Sequence, residues 1–568
     1  MNPSTALATV LVDALVSLGL RHLVLSPGSR SAPLAFAAAA AADAGRLELH
    51  VRVDERSAGF LALGLARGAL TAGEDPLVAV VTTSGTAVAN LHPAVLEASH
   101  AGVPLLVLSA DRPHELRGSG ASQTADAQAR LFLPSVRFSA DVPAPVDPQR
   151  QAPAWRSVVA RAAAAARGSR GEGAGPAHVN VAFADPLTPS PGAAPAGAAG
   201  LARVLPLPAP APVVLPRGPR TLVLAGDAPD PAVGAAARAL AEDAGWPLLA
   251  EPSSGARGGP QAVGPYRLLL GAADAEGPLD AAERLVVFGH PTLSRPVTRL
   301  LARDDVELVV VSGSSRWPDA GFRAAQVLPA AAVAGPPGER ELEFAARWAC
   351  AGKLAADAVD ALLDDEAAAG VLSGPWAARA AVAACAADGC AFVVAASNPV
   401  RDADVATRPA GVPTVSNRGL AGIDGTLATA SGVALARGGG ARLLVGDLAF
   451  LHDANALLPV LGEARPDLTV VLVNDDGGGI FETLEHAGAV PRSTFERVVA
   501  TPHGVDVAAL CAASGVAHER PATPAAAAAA IAARPAGLRV VELRVPRERV
   551  AERAQRVAEA VRAAVAAG

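Results

Sequence analysis

LTVVLVNDDGGGIF, residues 468–481, is a stretch in which an apolar run stops abruptly at three oxygen-bearing side chains followed by three glycines. The run Leu468–Val473 is hydrophobic throughout rather than alternating, which is typical of a strand in a parallel sheet that is covered on both faces. Asn, Asp and Gly are ordinary turn residues, so Asn474–Gly479 could be a loop and nothing more. The same residues would also suit a bound ligand, and the two interpretations have to be weighed against the rest of the chain.

The same unit recurs along the chain as a short apolar run, then a turn rich in Gly, Ser or Asp, then a helical stretch. The runs that we predict to be strands are 22–26, 47–53, 77–83, 104–109, 221–225, 284–288, 307–311, 392–395, 442–445, 468–473 and 538–543. Ala-rich segments such as 37–42 and 525–530 are good helix formers. Apolar strands alternating with helices predict an α/β fold, which we interpret as three doubly wound parallel-sheet domains.

Composition shifts predict where these domains begin and end. Residues 188–220 are dominated by Pro, Ala and Gly, which is a linker composition. A weaker break near 330–340 separates the second set of predicted strands from the third. We therefore predict domains at 1–187, 221–340 and 341–568, with a linker at 188–220.

Bulk composition excludes some classes of partner. The 568-residue chain is 51% hydrophobic and 18% charged, so it can bury large cores. Its net charge of -7 gives no general attraction to nucleic acid or to an anionic membrane. No apolar run reaches the length of a membrane span. We expect neither nucleic acid nor membrane as a partner.

The cysteines and the N-terminal residues bear on the cellular compartment. Cys350, Cys385, Cys390 and Cys511 show no metal-type pairing and are too few for a disulfide framework, which favours a reducing compartment. The start of the chain has an acid inside its apolar run and no basic leader, so it predicts an amphipathic first helix rather than an export signal. These features predict a soluble, cytoplasmic protein.

Two predicted strands of the third domain end in residues that can bind a metal ion. Gly446 and Asp447 follow one strand, and Asn474 and Asp475 follow the other. The carboxyl ends of parallel strands share an edge of the sheet, where ligands of open α/β sheets bind. Carboxylate, amide and carbonyl oxygens suit Mg²⁺ (or Mn²⁺), which commonly shares its shell with phosphate oxygens. Asp447 alone could be a helix cap, but the two strand ends together are more specific.

This arrangement resembles the diphosphate-binding motif of thiamin-diphosphate enzymes, with Leu448 where many members have Gly. The resemblance implies Mg²⁺ bound by Asp447, Asp475 and the Gly477 carbonyl. Asp475 stands where the usual residue is Asn, so the second ligand is either Asn474 or Asp475. Both side chains offer an oxygen atom as a metal ligand, but Asp also adds a negative charge.

The same resemblance assigns a catalytic role to Glu55, which follows the predicted strand 47–53. A glutamate at this place in the family hydrogen-bonds the pyrimidine ring of the cofactor and promotes loss of the thiazolium proton. A partly desolvated carboxylate with a raised pKa would suit that role. The alternative is a surface ion pair of Glu55 with Arg52 or Arg56.

Five short sequence motifs indicate one particular family among the thiamin-diphosphate enzymes. SPGSRSAPL at 26–34, TTSGTAVAN at 82–90, ADRP at 110–113, NRGLAGIDG at 417–425 and GDLAFLHD at 446–453 resemble the 2-succinyl-5-enolpyruvyl-6-hydroxy-3-cyclohexene-1-carboxylate synthases of the menaquinone pathway. The resemblance runs from about residue 5 to about 545. It implies 2-oxoglutarate and isochorismate as substrates, a pyrimidine-binding first domain, a central domain without cofactor, a diphosphate-binding third domain, and a homodimer or homotetramer with sites shared between subunits.

The predicted loops are also rich in arginine, whose guanidinium fork suits substrates with several carboxylates. Any one of these arginines could instead be a structural charge. Ser122 and Arg295 stand where relatives often have Asn and Lys. The resemblance implies a substrate pocket of Ser29, Arg30, Arg112, Gln123, Arg295, Arg401, Arg418 and Phe481. It implies cofactor contacts from Glu55, Thr83, Ser84, Gly85, Ser397, Gly422, Ile423, Gly446, Asp447, Leu448, Gly477, Gly478 and Ile480.

Two alternatives stay open. The chain could be another thiamin-diphosphate decarboxylase or carboligase, similar to acetolactate synthase, but pyruvate-type substrates need fewer carboxylate-binding arginines. It could also be a nucleotide-binding regulatory α/β protein without catalysis. The joint presence of Glu55, Asp447 and the loop 474–479 disfavours that second alternative.

Overall fold

A computed structural model describes residues 2–189, 200–272, 279 and 281–567. The described chain divides into two compact units. The first unit comprises Met1–Pro208, Leu427–Arg437 and Leu458–Arg465, and the second comprises Ala209–Thr426, Gly438–Leu457 and Pro466–Gly568. Part of the predicted linker, residues 190–199, lies outside the described residues. The three predicted domain boundaries stay a prediction.

The first unit is built on a parallel sheet with helices between the strands. Its strands are β1 (His22–Leu25), β2 (Glu48–Val51), β3 (Val78–Thr82), β4 (Leu105–Asp111), β5 (Phe138–Val142) and β6 (Pro176–Ala182). Its helices are α1 (Pro3–Ser17), α2 (Ala32–Asp43), α3 (Glu55–Thr71), α4 (Thr86–Asn90), α5 (His92–Ala101) and α6 (Pro148–Ala166). The strand order is β2-β1-β3-β4-β6-β5. The side chains of β1, β3 and β4 are buried throughout, as their apolar runs predict. β6 is buried throughout as well, but it was not predicted because His178 and Asn180 interrupt its apolar residues.

The second unit contains two larger parallel sheets and a short pair of strands. Its first part has β7 (Val213–Leu215), β8 (Thr221–Ala225), β9 (Leu248–Ala250), β10 (Arg284–Phe288), β11 (Glu307–Val311), β12 (Ala324–Leu328), β13 (Ala331–Val333), α7 (Pro231–Ala244), α8 (Tyr266–Ala272), α9 (Arg295–Leu301) and α10 (Glu339–Ala368). The strand order of the larger sheet is β12-β11-β10-β8-β9.

The remaining elements form the sheet that carries the opening stretch. Its strands are β14 (Ala391–Val394), β15 (Thr414–Val415), β16 (Ala441–Gly446), β17 (Leu468–Asn474), β18 (Ala517–Glu519) and β19 (Leu538–Arg544). The helices that accompany them in the second unit are α11 (Gly374–Asp388), α12 (Asn398–Ala406), α14 (Asp447–His452), α15 (His486–Ala489), α16 (Arg492–Phe495), α17 (Val507–Ala513), α18 (Pro524–Ala532) and α19 (Arg549–Ala567), whereas α13 (Thr426–Arg437) belongs to the first unit except for its first residue. The strand order is β15-β14-β16-β17-β19-β18, and all pairs are parallel. The predicted parallel α/β fold is confirmed.

The end of the predicted linker contains regular structure. Val213–Leu215 pairs in parallel with Ala331–Val333, so a strand in the predicted linker pairs with a strand at the weaker break near 330–340. These two strands are short and half-exposed to solvent, which explains why no long apolar run marks them. Among the helices of the described residues, none has both the length and the apolarity needed to cross a bilayer.

Candidate functional site

In the first unit the predicted site residues lie at the carboxyl ends of neighbouring strands. The loops after β1, β3 and β4 carry Gly28, Thr83–Gly85 and Arg112. Gly28 packs so closely on the Thr83 side chain that a Cβ there would collide with it. The Arg112 guanidinium donates to Ser84 Oγ at 2.7 Å and to the Gln123 carbonyl at 2.6 Å. The structure therefore brings these loops together.

Arg30 and Arg112 form a positive pair in the first unit. Arg30 donates to the Phe183 carbonyl at 2.9 Å, and Ser29 beside it is exposed. Burial and the nearby charge of Arg30 lower the pKa of Arg112. Two guanidinium groups held close enough to oppose each other's charge favour binding of an anion between or beside them.

Glu55 is the first residue of α3. The Asp54 carboxylate caps this helix by accepting from Arg56 N at 2.8 Å and Ser57 N at 3.3 Å, which fixes where Glu55 leaves the backbone. The half-buried Glu55 carboxylate accepts from Asn90 Nδ2 at 3.2 Å. Arg52, one of the two alternative ion-pair partners, lies 3.7 Å from Glu463 instead.

A buried polar network beneath these loops has no signal in the sequence pattern. Gln128 accepts from Gly85 N at 2.9 Å and donates to the Ala110 carbonyl and to Asn180 Oδ1 at 2.9 Å each. Asn180 in turn donates to Asp111 Oδ2 at 2.9 Å. The network holds Gly85 in its backbone conformation with φ 83° and fixes the end of β4 next to Arg112.

In the second unit Asp447 joins the ends of β16 and β17. Its Oδ1 accepts from Leu448 N at 2.6 Å, and its Oδ2 accepts from Gly477 N at 2.9 Å. His503, which sequence reasoning left out, places Nε2 at 3.3 Å from Asp447 Oδ2. Burial raises the pKa of the Asp447 carboxyl. The predicted strand ends therefore meet, as their parallel register requires.

Asn474 and Asp475 have different surroundings. Asn474 is buried, donates to Glu542 Oε1 at 2.7 Å and accepts from Asp476 N at 3.1 Å. Both ends of its amide are thus used inside the protein. Asp475 lines a cavity, and burial together with the charge of Asp447 raises the pKa of its carboxyl to about 7. The geometry favours Asp475 over Asn474 as the side chain available to a cation.

The glycines of this loop lie in crowded surroundings, and their N–H groups donate within the protein. Gly477 N donates to the Asp447 carboxylate, Gly478 N donates to the Ala500 carbonyl, and Gly479 N donates to the Gly477 carbonyl. The structural reason for glycine here is crowding. A Cβ at Gly478 would collide with the Phe481 ring, and one at Gly479 would collide with the Asp475 carboxylate.

A cavity of about 350 Å³ lies at this edge of the sheet in the second unit. Predicted site residues account for much of its wall. They are Ser397, Arg401, Ile423, Gly446, Asp447, Leu448, Asp475, Gly477, Gly478, Ile480 and Phe481. Ile480 and Phe481 belong to a 3₁₀ turn at Gly479–Thr483 rather than to an open loop. Ser397 holds φ 71° and ψ −136°, a conformation that is costly for a residue with a side chain and is concentrated at functional sites.

Arg401 is the centre of a second positive group. Burial and the charges of Arg267 and Arg418 lower the pKa of Arg401 to about 10. Arg401 donates to the Ser397 carbonyl at 2.7 Å, and Arg267 lies 3.0 Å from Asp404. Arg418 is buried, and its Nε has no hydrogen-bond partner among the described residues. A cluster of guanidinium groups of this kind is suited to binding a carboxylate.

Glu251 anchors the loop that approaches Arg418. Glu251 Oε1 accepts from Thr292 N and Leu293 N at 2.9 Å each, and Thr292 Oγ1 accepts from Arg418 Nη2 at 2.7 Å. Burial raises the pKa of Glu251 to about 8. Arg295 lies three residues after Thr292 in the sequence. Its side chain is exposed and forms an ion pair with Glu485 at 3.3 Å. Neither Arg295 nor Arg418 lines the cavity.

Sequence reasoning missed three charged residues of the cavity wall. They are Arg267, Asp402 and Arg553. Burial raises the pKa of the Asp402 carboxyl to about 7. Arg267 and Arg553 come from α8 and α19, which carry none of the strings that mark the strand ends, so no local signal could have found them. Gly422 stands next to Ile423 without lining the cavity itself.

The two carboxylates at these strand ends fit a divalent cation. Asp447 and Asp475 are two carboxylates close enough that the charge of one raises the pKa of the other, and a cation between them would relieve that repulsion. Both belong to strand ends at one edge of the sheet, beside the cavity. Oxygen donors of this kind are those that Mg²⁺ prefers.

Two family models match the chain. The N-terminal thiamine pyrophosphate-binding domain of thiamine pyrophosphate enzymes matches residues 5–131, and the C-terminal thiamine pyrophosphate-binding domain matches residues 405–543. The first match contains Glu55 and the Thr83–Gly85 loop, and the second contains Asp447 and Asp475.

Whole-chain relatives agree with these matches. A 2-succinyl-5-enolpyruvyl-6-hydroxy-3-cyclohexene-1-carboxylate synthase of Kineococcus radiotolerans is 80% identical over 100% of both chains. Synthases of the same name are 45% identical in a Nocardioides species, over 96% of both chains, and in Paenarthrobacter aurescens, over 99% of this chain and 97% of the relative. The chain therefore belongs to the 2-succinyl-5-enolpyruvyl-6-hydroxy-3-cyclohexene-1-carboxylate synthase family of thiamine pyrophosphate enzymes.

Proposed function

We propose that this protein decarboxylates 2-oxoglutarate with thiamin diphosphate and Mg²⁺ and joins the remaining four-carbon unit to isochorismate by conjugate (1,4) addition, as a step of menaquinone biosynthesis. The observation that carries the proposal is the cavity wall on which Asp447 and Asp475 lie together with Arg401. Carboxylates suit the cation of a diphosphate cofactor, and arginine suits a substrate carboxylate.

The cofactor would be held by this chain's own strand ends. Asp447, Asp475 and the Gly477 carbonyl would bind Mg²⁺, with Ile423 as the apolar support for the cofactor rings. Thiamin diphosphate, when bound, supplies an electron sink at which a 2-oxo acid loses CO₂ and a carbon–carbon bond forms. The apolar side chains Ile480 and Phe481 on the cavity wall would exclude water from that bond-forming step.

Glu55 would hold the proton that the reaction needs at the pyrimidine ring. Its half-buried carboxylate at the start of α3 is oriented by Asn90 Nδ2. A carboxylate in that place would form a hydrogen bond with the pyrimidine ring and hold a proton there. The family resemblance implies that Glu55 and the diphosphate-binding loop of one active site belong to different subunits. We therefore propose that the protein is a homodimer or homotetramer.

The arginines would select the substrates. 2-Oxoglutarate and isochorismate each carry two carboxylates, and the positive groups around Arg30 and Arg112 and around Arg401 and Arg418 offer several guanidinium forks. Ser29, Gln123 and Arg295 would complete the pocket. The second candidate, a carboligase that uses pyruvate, needs fewer carboxylate-binding arginines because pyruvate carries a single carboxylate.

Location and domain roles complete the proposal. All four cysteines are free thiols, which supports the proposal that the protein works in the reducing cytoplasm. Residues 1–187 would bind the pyrimidine, residues 341–568 the diphosphate, and residues 221–340 no cofactor.

The test measures CO₂ release by the purified chain with thiamin diphosphate and Mg²⁺. 2-Oxoglutarate and pyruvate are compared, each with and without isochorismate. We expect release from 2-oxoglutarate, accelerated by isochorismate, and little from pyruvate. Preferential use of pyruvate would replace the proposal with an acetolactate-synthase-like activity, and no release from either acid would reject both.

A further inference from the structure

Outside the candidate site, the amino ends of β1 and β2 bring together two histidines and a glutamate. β1 begins at His22 and β2 begins at Glu48, and the register pairs these two residues directly. His50 follows Glu48 by two positions, so it lies on the same face of the sheet. The cluster therefore lies at the edge of the sheet opposite to the loops that carry Arg30 and Thr83.

The ligand atoms of this cluster are spaced as a metal ion requires. His22 Nδ1 lies 3.2 Å from His50 Nε2 and 3.5 Å from Glu48 Oε2. Each residue offers an atom, and these atoms all lie within 4.8 Å of one another. Bonds of about 2.0–2.1 Å from a tetrahedral Zn²⁺ give ligand atoms separated by about 3.3–3.4 Å.

We propose that His22, Glu48 and His50 form a binding site for Zn²⁺ or a similar divalent transition-metal ion, separate from the Mg²⁺ that serves the cofactor. Two imidazole nitrogens and a carboxylate oxygen are ligands that Zn²⁺ accepts. The Glu48 side chain is 69% exposed, so the remaining coordination position is open to water. The site would tie the edge strand β2 to β1.

The protonation state of the two rings supports this site. His22 is 8% exposed and His50 is 4% exposed, and burial lowers the pKa of both. For His50 the pKa falls to about 3. Burial thus disfavours the charged form of each imidazole, and the neutral form is the one that binds a metal ion.

Neighbouring positive charges are already balanced. The Arg21 guanidinium pairs with Glu74 at 2.8 Å, and Arg52 lies 3.7 Å from Glu463. The alternative to a metal ion is a hydrogen bond between the two rings, in which one nitrogen donates to the other. That alternative gives no role to Glu48 and predicts no metal uptake.

The test uses the full chain, purified without a histidine tag, with thiamin diphosphate and excess Mg²⁺ present so that the cofactor site is filled. Equilibrium dialysis measures bound Zn²⁺, and the visible absorption of added Co²⁺ reports tetrahedral nitrogen-containing coordination. Variants are His22→Gln, His50→Gln and Glu48→Gln. The matched control is His100→Gln, an exposed histidine at the end of α5.

We expect about one Zn²⁺ per wild-type chain and about tenfold or greater loss of affinity in each of the three variants, with the control unchanged. Glu48→Gln keeps the test valid if a buried histidine variant fails to fold, because Glu48 is largely exposed. Equal Zn²⁺ binding by wild type and the three variants would overturn the proposal, as would the absence of Zn²⁺ binding by wild type. Activity is not the readout, so failure of this site and failure of the proposed reaction are distinguishable.

Discussion

Asp447 Oδ2 accepts a hydrogen bond from Gly477 N at 2.9 Å, and this contact joins the ends of two adjacent parallel strands, β16 and β17. It places the two predicted metal-binding elements side by side at one edge of the sheet.

Asp475 and Asn474 are distinguished by replacing each with alanine. We expect Asp475→Ala to weaken Mg²⁺-dependent binding of thiamin diphosphate by about tenfold or more, because a carboxylate facing the cavity is lost. Asp475→Asn keeps an oxygen donor and should bind more tightly than Asp475→Ala. Calorimetric titration with the cofactor measures both. Equal binding by Asp475→Ala and wild type would remove Asp475 from the metal site.

Asn474→Ala should act on stability instead. It leaves the buried Glu542 Oε1 without its amide donor, which costs about 1–3 kcal/mol of unfolding free energy. Urea unfolding measures that loss. A variant with unchanged stability and abolished cofactor binding would show that Asn474 is the metal ligand after all.

Gly478→Ala tests the crowding in the loop. The added Cβ would collide with the Phe481 ring, so we expect Phe481 to be displaced from the cavity wall and cofactor affinity to fall by about tenfold or more. Gly488→Ala is the matched control, because a Cβ there meets nothing within 4 Å. Equal cofactor binding by the two variants would show that the contact between residue 478 and Phe481 does not control the cofactor site.

Glu251 should make stability depend on pH. Its folded pKa of about 8 exceeds the ordinary value of 4.5, so the folded protein holds an extra proton between these pH values. The stabilisation is fully present below about pH 4.5 and is lost as the pH rises through about 8, with an upper bound of about 5 kcal/mol. Glu251→Gln cannot titrate and should show a flatter profile.

Urea unfolding between pH 5 and pH 8 measures the difference between wild type and Glu251→Gln. Glu339→Gln, at an exposed position, is the control and should follow wild type. Parallel profiles for wild type and Glu251→Gln would show that Glu251 stays ionised in the folded protein.

Arg401→Lys tests carboxylate recognition. Lysine keeps the charge but not the planar fork, so we expect KM for 2-oxoglutarate to rise by about tenfold or more, with cofactor affinity unchanged. Arg408→Lys is the control, because Arg408 is half-exposed and pairs with Asp357 and Asp360 instead. Steady-state kinetics measure KM for 2-oxoglutarate in both variants. An unchanged KM in Arg401→Lys would exclude Arg401 from the substrate pocket.

Strand ends were predictable from the sequence because buried parallel strands are long apolar runs that stop where polar loops begin. β16 and β17, which end beside Asp447 and Asp475, follow this rule within one residue. β5 and β12 were missed because their side chains are largely half-buried or exposed, and the buried β6 was missed because His178 and Asn180 interrupt its apolar residues. Arg267 and Arg553 reach the cavity through tertiary packing, which no local pattern encodes.

The most direct test of the proposed reaction is mass-spectrometric detection of the product formed from 2-oxoglutarate and isochorismate by wild type and by Glu55→Gln. Both proteins are assayed with thiamin diphosphate and Mg²⁺, and circular dichroism confirms that both are folded. We expect wild type to form the 2-succinyl adduct with release of CO₂, and Glu55→Gln to form none. Product formation by Glu55→Gln at the wild-type rate would contradict the role of Glu55, and absence of product from wild type would contradict the proposed function itself.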